Sequence, residues 1–103
     1  MKIDYINDEN RLVAVLPEEI DHHITIGLRY EIDSAIDLHK PLSDVVIDFS
    51  HVSFMDSSGI GLVLGRSRKA LEAGAKLTVT SPCGSIRKVM RMAGLDSVVN
   101  IIE

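Results

Sequence analysis

The stretch Ser53-Phe54-Met55-Asp56-Ser57-Ser58-Gly59-Ile60-Gly61 decides how this chain is read. Just before it, Val45-Val46-Ile47-Asp48-Phe49 is a β-branched run bounded by polar residues, the pattern of a central strand buried on both faces. Just after it, a helix is predicted from near Asp56 to Ala73, with Gly74 as its left-handed C-cap. Lys76-Leu77-Thr78-Val79-Thr80 then alternates as a strand. Strand, helix and strand make a crossover that is right-handed and sets the two strands parallel. The quoted stretch therefore lies beyond the carboxyl end of a central strand and opens a helix, where open α/β sheets bind their ligands.

Toward the N-terminus, Ile3 to Ile6 and Leu12 to Leu16 are apolar segments flanking Asn7-Asp8-Glu9-Asn10, a polar tetrad suited to a hairpin turn. Pro17 ends the second strand. Asp21 is placed as the N-cap of a helix whose stripe reads Ile24, Leu28, Ile32, Ala35 and Ile36; Gly27 weakens it and Pro41 marks its end. Toward the C-terminus, Ser81-Pro82 reads as a helix start, Ser as N-cap and Pro at the first helical position. Ile86, Val89, Met90 and Ala93 form its stripe, Gly94 closes it, and Val98 to Ile102 is a last short strand. The expected fold is α/β, in the order β-β-α-β-α-β-α-β, with one mixed sheet and helices mainly on one face. No repeat or linker interrupts residues 1–103, which read as one domain.

Composition narrows the function classes. A net charge of −4 argues against a nucleic-acid binder, since phosphate contacts need surplus Lys and Arg. The chain has no Trp and one cysteine, Cys83, so it forms no internal disulfide, and no Cys/His spacing resembles a zinc site. Met1-Lys2-Ile3-Asp4-Tyr5 lacks the apolar stretch of a signal peptide. The run Ile60-Gly61-Leu62-Val63-Leu64-Gly65 is too short to cross a bilayer. These features predict a cytoplasmic protein with no membrane partner.

The chemistry converges on the start of the second helix. Asp56 is expected as its N-cap and Ser57 as its first residue, with the hydroxyl projecting where unpaired N–H groups and the positive helix end accommodate a phosphate. Gly59 and Gly61 leave room for another backbone or a nucleotide. At about 100° per residue, Ile60, Val63, Leu64, Ser67 and Leu71 share the sheet-facing side. Leu62 is then directed outward, in line with Ser58, Gly65 and Lys69, as a candidate partner contact. Asp-Ser-Ser-Gly is equally a good helix cap with no further role.

Other chemistries read less well. Ser57 with His22, His23, His39 or His51 could be drawn as a hydrolase, but Met55 stands where a Gly-x-Ser-x-Gly elbow has its first glycine. His22 and His23 are adjacent and, on a helix, diverge by about 100°, so they share a metal poorly. Arg66, Arg68 and Lys69 read as a solvated helix face, as do Arg87, Lys88 and Arg91. Met90 reads as core. Cys83 is either a low-pKa thiol in a first helical turn or a buried structural one.

The longer stretch from Val52 to Arg66 closely resembles the signature of the STAS-domain anti-anti-sigma factors, most of all their sporulation branch. Leu16 to His23, ending Ile20-Asp21-His22-His23, resembles a second family element, and Ala93-Gly94-Leu95 a third. One departure is Pro17-Glu18 where the family has a glycine before Glu-Leu-Asp. The resemblance implies a non-enzymatic switch without a cofactor of its own. The unphosphorylated form binds an anti-sigma factor that is also a serine kinase and so frees a sigma factor. That kinase phosphorylates the serine matching Ser57, with Ser58 the runner-up, and a PP2C-type phosphatase resets the switch. Asp21, Met55, Asp56, Ser58, Gly59 and Leu62 are the partner-binding residues on this reading. A STAS switch of a general stress or phosphatase-activating pathway is the alternative. Phosphorylation adds about −1.5 to −2 charges at a helix end and is expected to block binding without moving the backbone.

Overall fold

A computed structural model describes all of residues 1–103. Strands β1 (Lys2–Ile6) and β2 (Arg11–Val15) form the expected antiparallel hairpin, with Lys2 opposite Val15 and Ile6 opposite Arg11. The polar tetrad closes it as one 3₁₀ turn ending on Asn10 in the left-handed region (φ 49°). Asn10 is held there from both sides. Its Oδ1 accepts from the Tyr5 hydroxyl (2.9 Å), and its Nδ2 donates to the Pro41 carbonyl (3.0 Å).

Strand β3 (Glu19–Ile20) leads into helix α1 (His22–His39), then come β4 (Asp44–Asp48), β5 (Phe54–Met55), α2 (Ser58–Glu72), β6 (Lys76–Thr80), α3 (Gly84–Met92) and β7 (Asn100–Ile102). The five longer strands form one mixed sheet in the order β1-β2-β4-β6-β7, parallel except for the β1–β2 pair. The two-residue strands β3 and β5 were not foreseen. They pair with each other, parallel, Glu19 with Phe54 and Ile20 with Met55.

Every second residue along the sheet faces one core. Leu12, Ala14, Val45, Ile47, Leu77 and Val79 on that face are at most 4% exposed. Leu28, Ile32 and Ile36 of α1, Leu62, Val63 and Ala70 of α2, and Ile86 and Met90 of α3 all join the same cluster. The three helices thus cover one face, as expected. The opposite face carries Arg11, Val13, Asp44, Val46, Lys76, Thr78 and Asn100, the register partners' neighbours, with no helix over them. Crowding between strands rather than a covering layer hides Thr78 (4% exposed), which donates to Asp44 at 3.4 Å. No helix is long and apolar enough to cross a membrane.

Several local expectations need correction. On α1 the inward residue of the first turn is Thr25, not Ile24; Thr25 is buried because its hydroxyl donates to the His22 carbonyl at 3.0 Å, while Ile24 meets solvent. Ser81 is not an N-cap. It adopts φ 56° and donates its N–H to the Ile102 carbonyl (2.9 Å), so its backbone is engaged with the last strand, Cys83 takes the N-cap position and α3 starts at Gly84. On α3 only Ile86 and Met90 are buried; Val89 and Ala93 are exposed because this short helix touches the core along one narrow line. Cys83 is exposed rather than structural, and hydrogen bonds from Ser85 and the Ile86 amide hold its thiol below the usual range.

The largest correction concerns α2. Its buried residues are Gly59, Leu62, Val63, Arg66 and Ala70, whereas Leu71 is 75% exposed. The helix is rotated from the expected phase because it packs on α1 as well as on the sheet. Leu62, expected to point outward, is only 3% exposed. Arg66, expected in solvent, is 6% exposed and contacts Asp33 of α1, Nε to Oδ1 2.7 Å.

Candidate functional site

The β3–β5 pair determines the site. After β2, the Leu16 amide donates to the Asp48 carbonyl (3.1 Å), and Pro17 turns the chain out of the sheet. The Glu18 carbonyl then accepts from the amides of Ser53 (2.8 Å) and Phe54 (3.3 Å), and the Ile20 carbonyl accepts from Asp56 (3.0 Å). Pro17 lacks an N–H, but none is needed at that point, so Pro17-Glu18 fits the turn and supplies the acceptor that anchors the serine loop. The segments from Leu16 to His23 and from Ser53 to Gly61, separate in sequence, are one structure.

Two aspartates finish it. Asp21 caps α1, its Oδ1 accepting from the Ile24 amide at 2.9 Å, as expected. Asp56 does more than cap. Its Oδ1 accepts from the Ser58 amide (2.9 Å) and the Ser58 hydroxyl, and its Oδ2 accepts from the His22 amide at 3.2 Å. One carboxylate therefore ties the first residue of α1 to the first residue of α2. Those hydrogen bonds, the one from the Ser58 hydroxyl first, hold Asp56 below the ordinary carboxylate range.

Ser57 sits at the N-cap of α2 with φ −62° and ψ −19°, and its hydroxyl makes no capping bond because Asp56 already does that work. Its carbonyl accepts from Ile60 (3.1 Å), so the backbone is fixed while the side chain projects into solvent. Ser58 is half-buried and occupied with Asp56. The structure thus separates two serines that the sequence leaves nearly equivalent.

Gly59 does not serve the close approach of a partner. A Cβ there would overlap the side chain of Met55 and lie 3.5 Å from Ile20, so the missing side chain lets the β3–β5 pair seat on α2. Gly61, by contrast, faces open space. Met55 is half-buried against the core, and its neighbour Phe54 is 53% exposed. Phe54 was missed as a contact candidate. The signal was available: an aromatic side chain in a polar loop, in a chain with only two Phe and two Tyr.

Behind the serines, α1 and α2 diverge around a cleft of about 280 Å³, lined by His22, Thr25 and Arg29 from α1 and by Ser58, Gly61, Leu62, Gly65 and Arg66 from α2. The histidines have separate tasks. His22 lends its amide to Asp56, and His39 stacks on Tyr5 with ring centres 4.1 Å apart. No group of three or more acidic, His or Cys side chains is placed to hold a metal ion.

Comparison with known proteins agrees with this geometry. The STAS domain family model matches residues 2–103. A curated anti-sigma F factor antagonist of Paenibacillus polymyxa is 27% identical over 103 residues, spanning all of this chain and 87% of that protein. The structure of the anti-sigma factor antagonist SpoIIAA in its unphosphorylated form is 31% identical, covers 97% of this chain and 85% of that one, and superposes with a TM-score of 0.81. The phosphorylated form of SpoIIAA from Bacillus, also 31% identical, covers 97% of this chain and 88% of that one with a TM-score of 0.73. A sheet with helices on one face, a serine-bearing helix start at the strand ends and a family match over nearly every residue lead to one conclusion: this chain belongs to the STAS domain family.

Proposed function

We propose that this chain is an anti-sigma factor antagonist controlled by phosphorylation of Ser57. The observation that carries the reading is the division of labour at α2: Asp56 occupies Ser58 and leaves the Ser57 hydroxyl exposed and unbonded on a fixed backbone. Likeness to SpoIIAA, known in phosphorylated and unphosphorylated forms, supports it.

In the unphosphorylated state the contact surface is centred on Ser57 and takes in Phe54, Gly61 and the exposed edges of Asp21, Met55, Asp56 and Ser58. Gly59 and Leu62 support that surface from beneath. The partner is an anti-sigma factor with serine kinase activity, released from its sigma factor on binding. Transfer of a phosphoryl group to Ser57 places nearly two negative charges and their hydration shell in the middle of the contact. Burying them without a partner's cation costs several kcal/mol per ion, on the order that separates tight from negligible binding. No helix has to move. A PP2C-type phosphatase restores the hydroxyl. Such a switch works in the cytoplasm, where transcription is controlled.

The test is incubation with an anti-sigma factor kinase and Mg-ATP, followed by intact mass and peptide mapping. One phosphoryl group on Ser57, absent in Ser57→Ala, is the expected result. A kinase active on a control substrate that leaves this chain unmodified overturns the phosphoserine switch, and modification at Ser58 reassigns the acceptor.

A further inference from the structure

The cleft between α1 and α2 has a charge character that its position does not require. From α1 it is lined by His22 and Arg29, from α2 by Arg66, and no carboxylate is among its lining residues. The acidic groups nearby are committed elsewhere. Asp33 faces Arg66, and both oxygens of Asp56 accept from α2 and from the His22 amide. Arg29 takes part in none of the ion pairs of the molecule, and its charge is felt by Arg66 across the cleft. Arg66 is 6% exposed, with its Nε 2.7 Å from Asp33 and its Nη1 donating to the Leu62 carbonyl at 3.4 Å. Arg66 already has Asp33 as its counter-ion, whereas Arg29 at the exposed mouth has no anionic partner, so the cleft carries an unbalanced positive charge that suits an anion.

The α2 side of the cleft is Ser58, Gly61, Leu62, Gly65 and Arg66, one continuous face of the helix. Nothing lies within 4 Å of where Cβ atoms of Gly61 or Gly65 would sit, so the wall beside the serines is open. Ser57 stands one turn before Gly61 on α2, at the rim of that wall.

We propose that this cleft is a receptor for a phosphoryl dianion, supplied in cis by a phosphoserine at position 57, which Arg29 engages as the main cation with His22 beside it. The proposal rests on the reading of Ser57 as the modified residue. It adds that the phosphoryl group folds over Gly61 against this chain instead of extending into solvent. Phosphorylation then withdraws the cationic cleft as well as the hydroxyl from any partner.

The test bypasses the kinase, so that its failure is distinct from failure of the phosphorylation assay. Phosphoserine is placed at position 57 during translation, and its second ionisation is followed by phosphorus NMR in the otherwise native chain and in Arg29→Gln. The charged groups facing the phosphate are His22 and Arg29 from α1, Arg66 from α2 with Asp33 behind it, and Asp56 from the preceding loop. The expected result is a phosphate pKa about one unit below the usual value near 6, returned toward 6 by Arg29→Gln. Identical titrations in the two proteins overturn the proposal. A second arm adds free O-phosphoserine and follows the amides of Gly61 and Gly65. Saturable shifts in the unmodified chain, abolished when position 57 carries its own phosphate, are expected. Equal binding to both forms shows that the cleft serves a free phosphate monoester, and overturns the cis assignment.

Discussion

Helices α2 and α3 start alike and end up differently. Each follows a strand of the parallel sheet, and each is announced by a serine and a local helix signal. At α2 the start is fastened from outside: Asp56 bonds to Ser58 and His22, and the Ile20 carbonyl holds the Asp56 amide; farther along the helix, Arg66 and Lys69 reach Asp33 and Asp37 of α1. At α3 there is no side-chain cap, and the one ion pair, Arg87 with Glu103, has an acid partner that is 82% exposed. A helix start gains tertiary hydrogen bonds only when other elements reach it, and a local signal alone leaves its first amides without side-chain partners.

The comparison breaks most easily at Asp33. Replacing it by Ala strands Arg66 in the α1–α2 interface, and about 3 kcal/mol of stability should be lost, read from the urea midpoint at unchanged m-value. A loss below about 1 kcal/mol would show that Arg66 swings out to water and that α2 is not anchored through it. Gly59→Ala comes next. The new methyl forces Met55 out of its seat, with an expected cost of about 1–3 kcal/mol and faster amide exchange at Ser53 and Asp56, which pair with Glu18 and Ile20. If exchange there is unchanged, Met55 has absorbed the methyl without disturbing the β3–β5 pair.

Acidity sharpens the contrast without a mutation. Asp56 has a depressed pKa in the folded chain, so its contribution is present above the ordinary carboxylate value near 3.9 and is lost as pH falls through the lower folded value. Amide resonances of His22 and Ser58 should titrate together with Asp56 below about pH 4, while those of Gly84 and Ser85 in α3 stay still. In Ser58→Ala the Asp56 carboxyl should titrate higher, because its principal donor is gone. The smallest effect belongs to α3: Arg87→Ala should change stability by no more than about 0.5 kcal/mol.

Much of this molecule is legible in its sequence. The hairpin, the central β-branched strand, the Asp21 cap and Gly74 at φ 84° follow from local chemistry that nothing distant overrides. What fails shares one cause. Arg66 looks like a solvent residue, and placing it outside turns α2 so that Leu62 faces water and Leu71 faces the sheet. The opposite rotation depends on α1, which offers Asp33, thirty-three residues before Arg66, as its counter-ion and an apolar face that shares the core with Leu62. Ser81 reads as a cap until Ile102 claims its amide. The two-residue strands β3 and β5 have no period to detect, because each exists through the other. At the site, the serine motif and its cap are visible in the sequence. The assignment of one serine to structure and the other to solvent is not, since it depends on which hydroxyl Asp56 takes.

The β3–β5 junction also bears on how this fold tolerates change over time. Its bonds run from main chain to main chain, so the exposed letters at positions 18, 19, 53 and 54 are free to drift, whereas Ile20 and Met55 are held by their packing on the core and on Gly59. The number of residues from Glu18 to Asp21, and from Ser53 to Ser57, is not free: one insertion would carry Asp56 past His22 and uncouple the two helices. In a family related through this junction, lineages should differ widely in spelling and hardly at all in count. A length change there marks a descendant that has given up the link between the two helices.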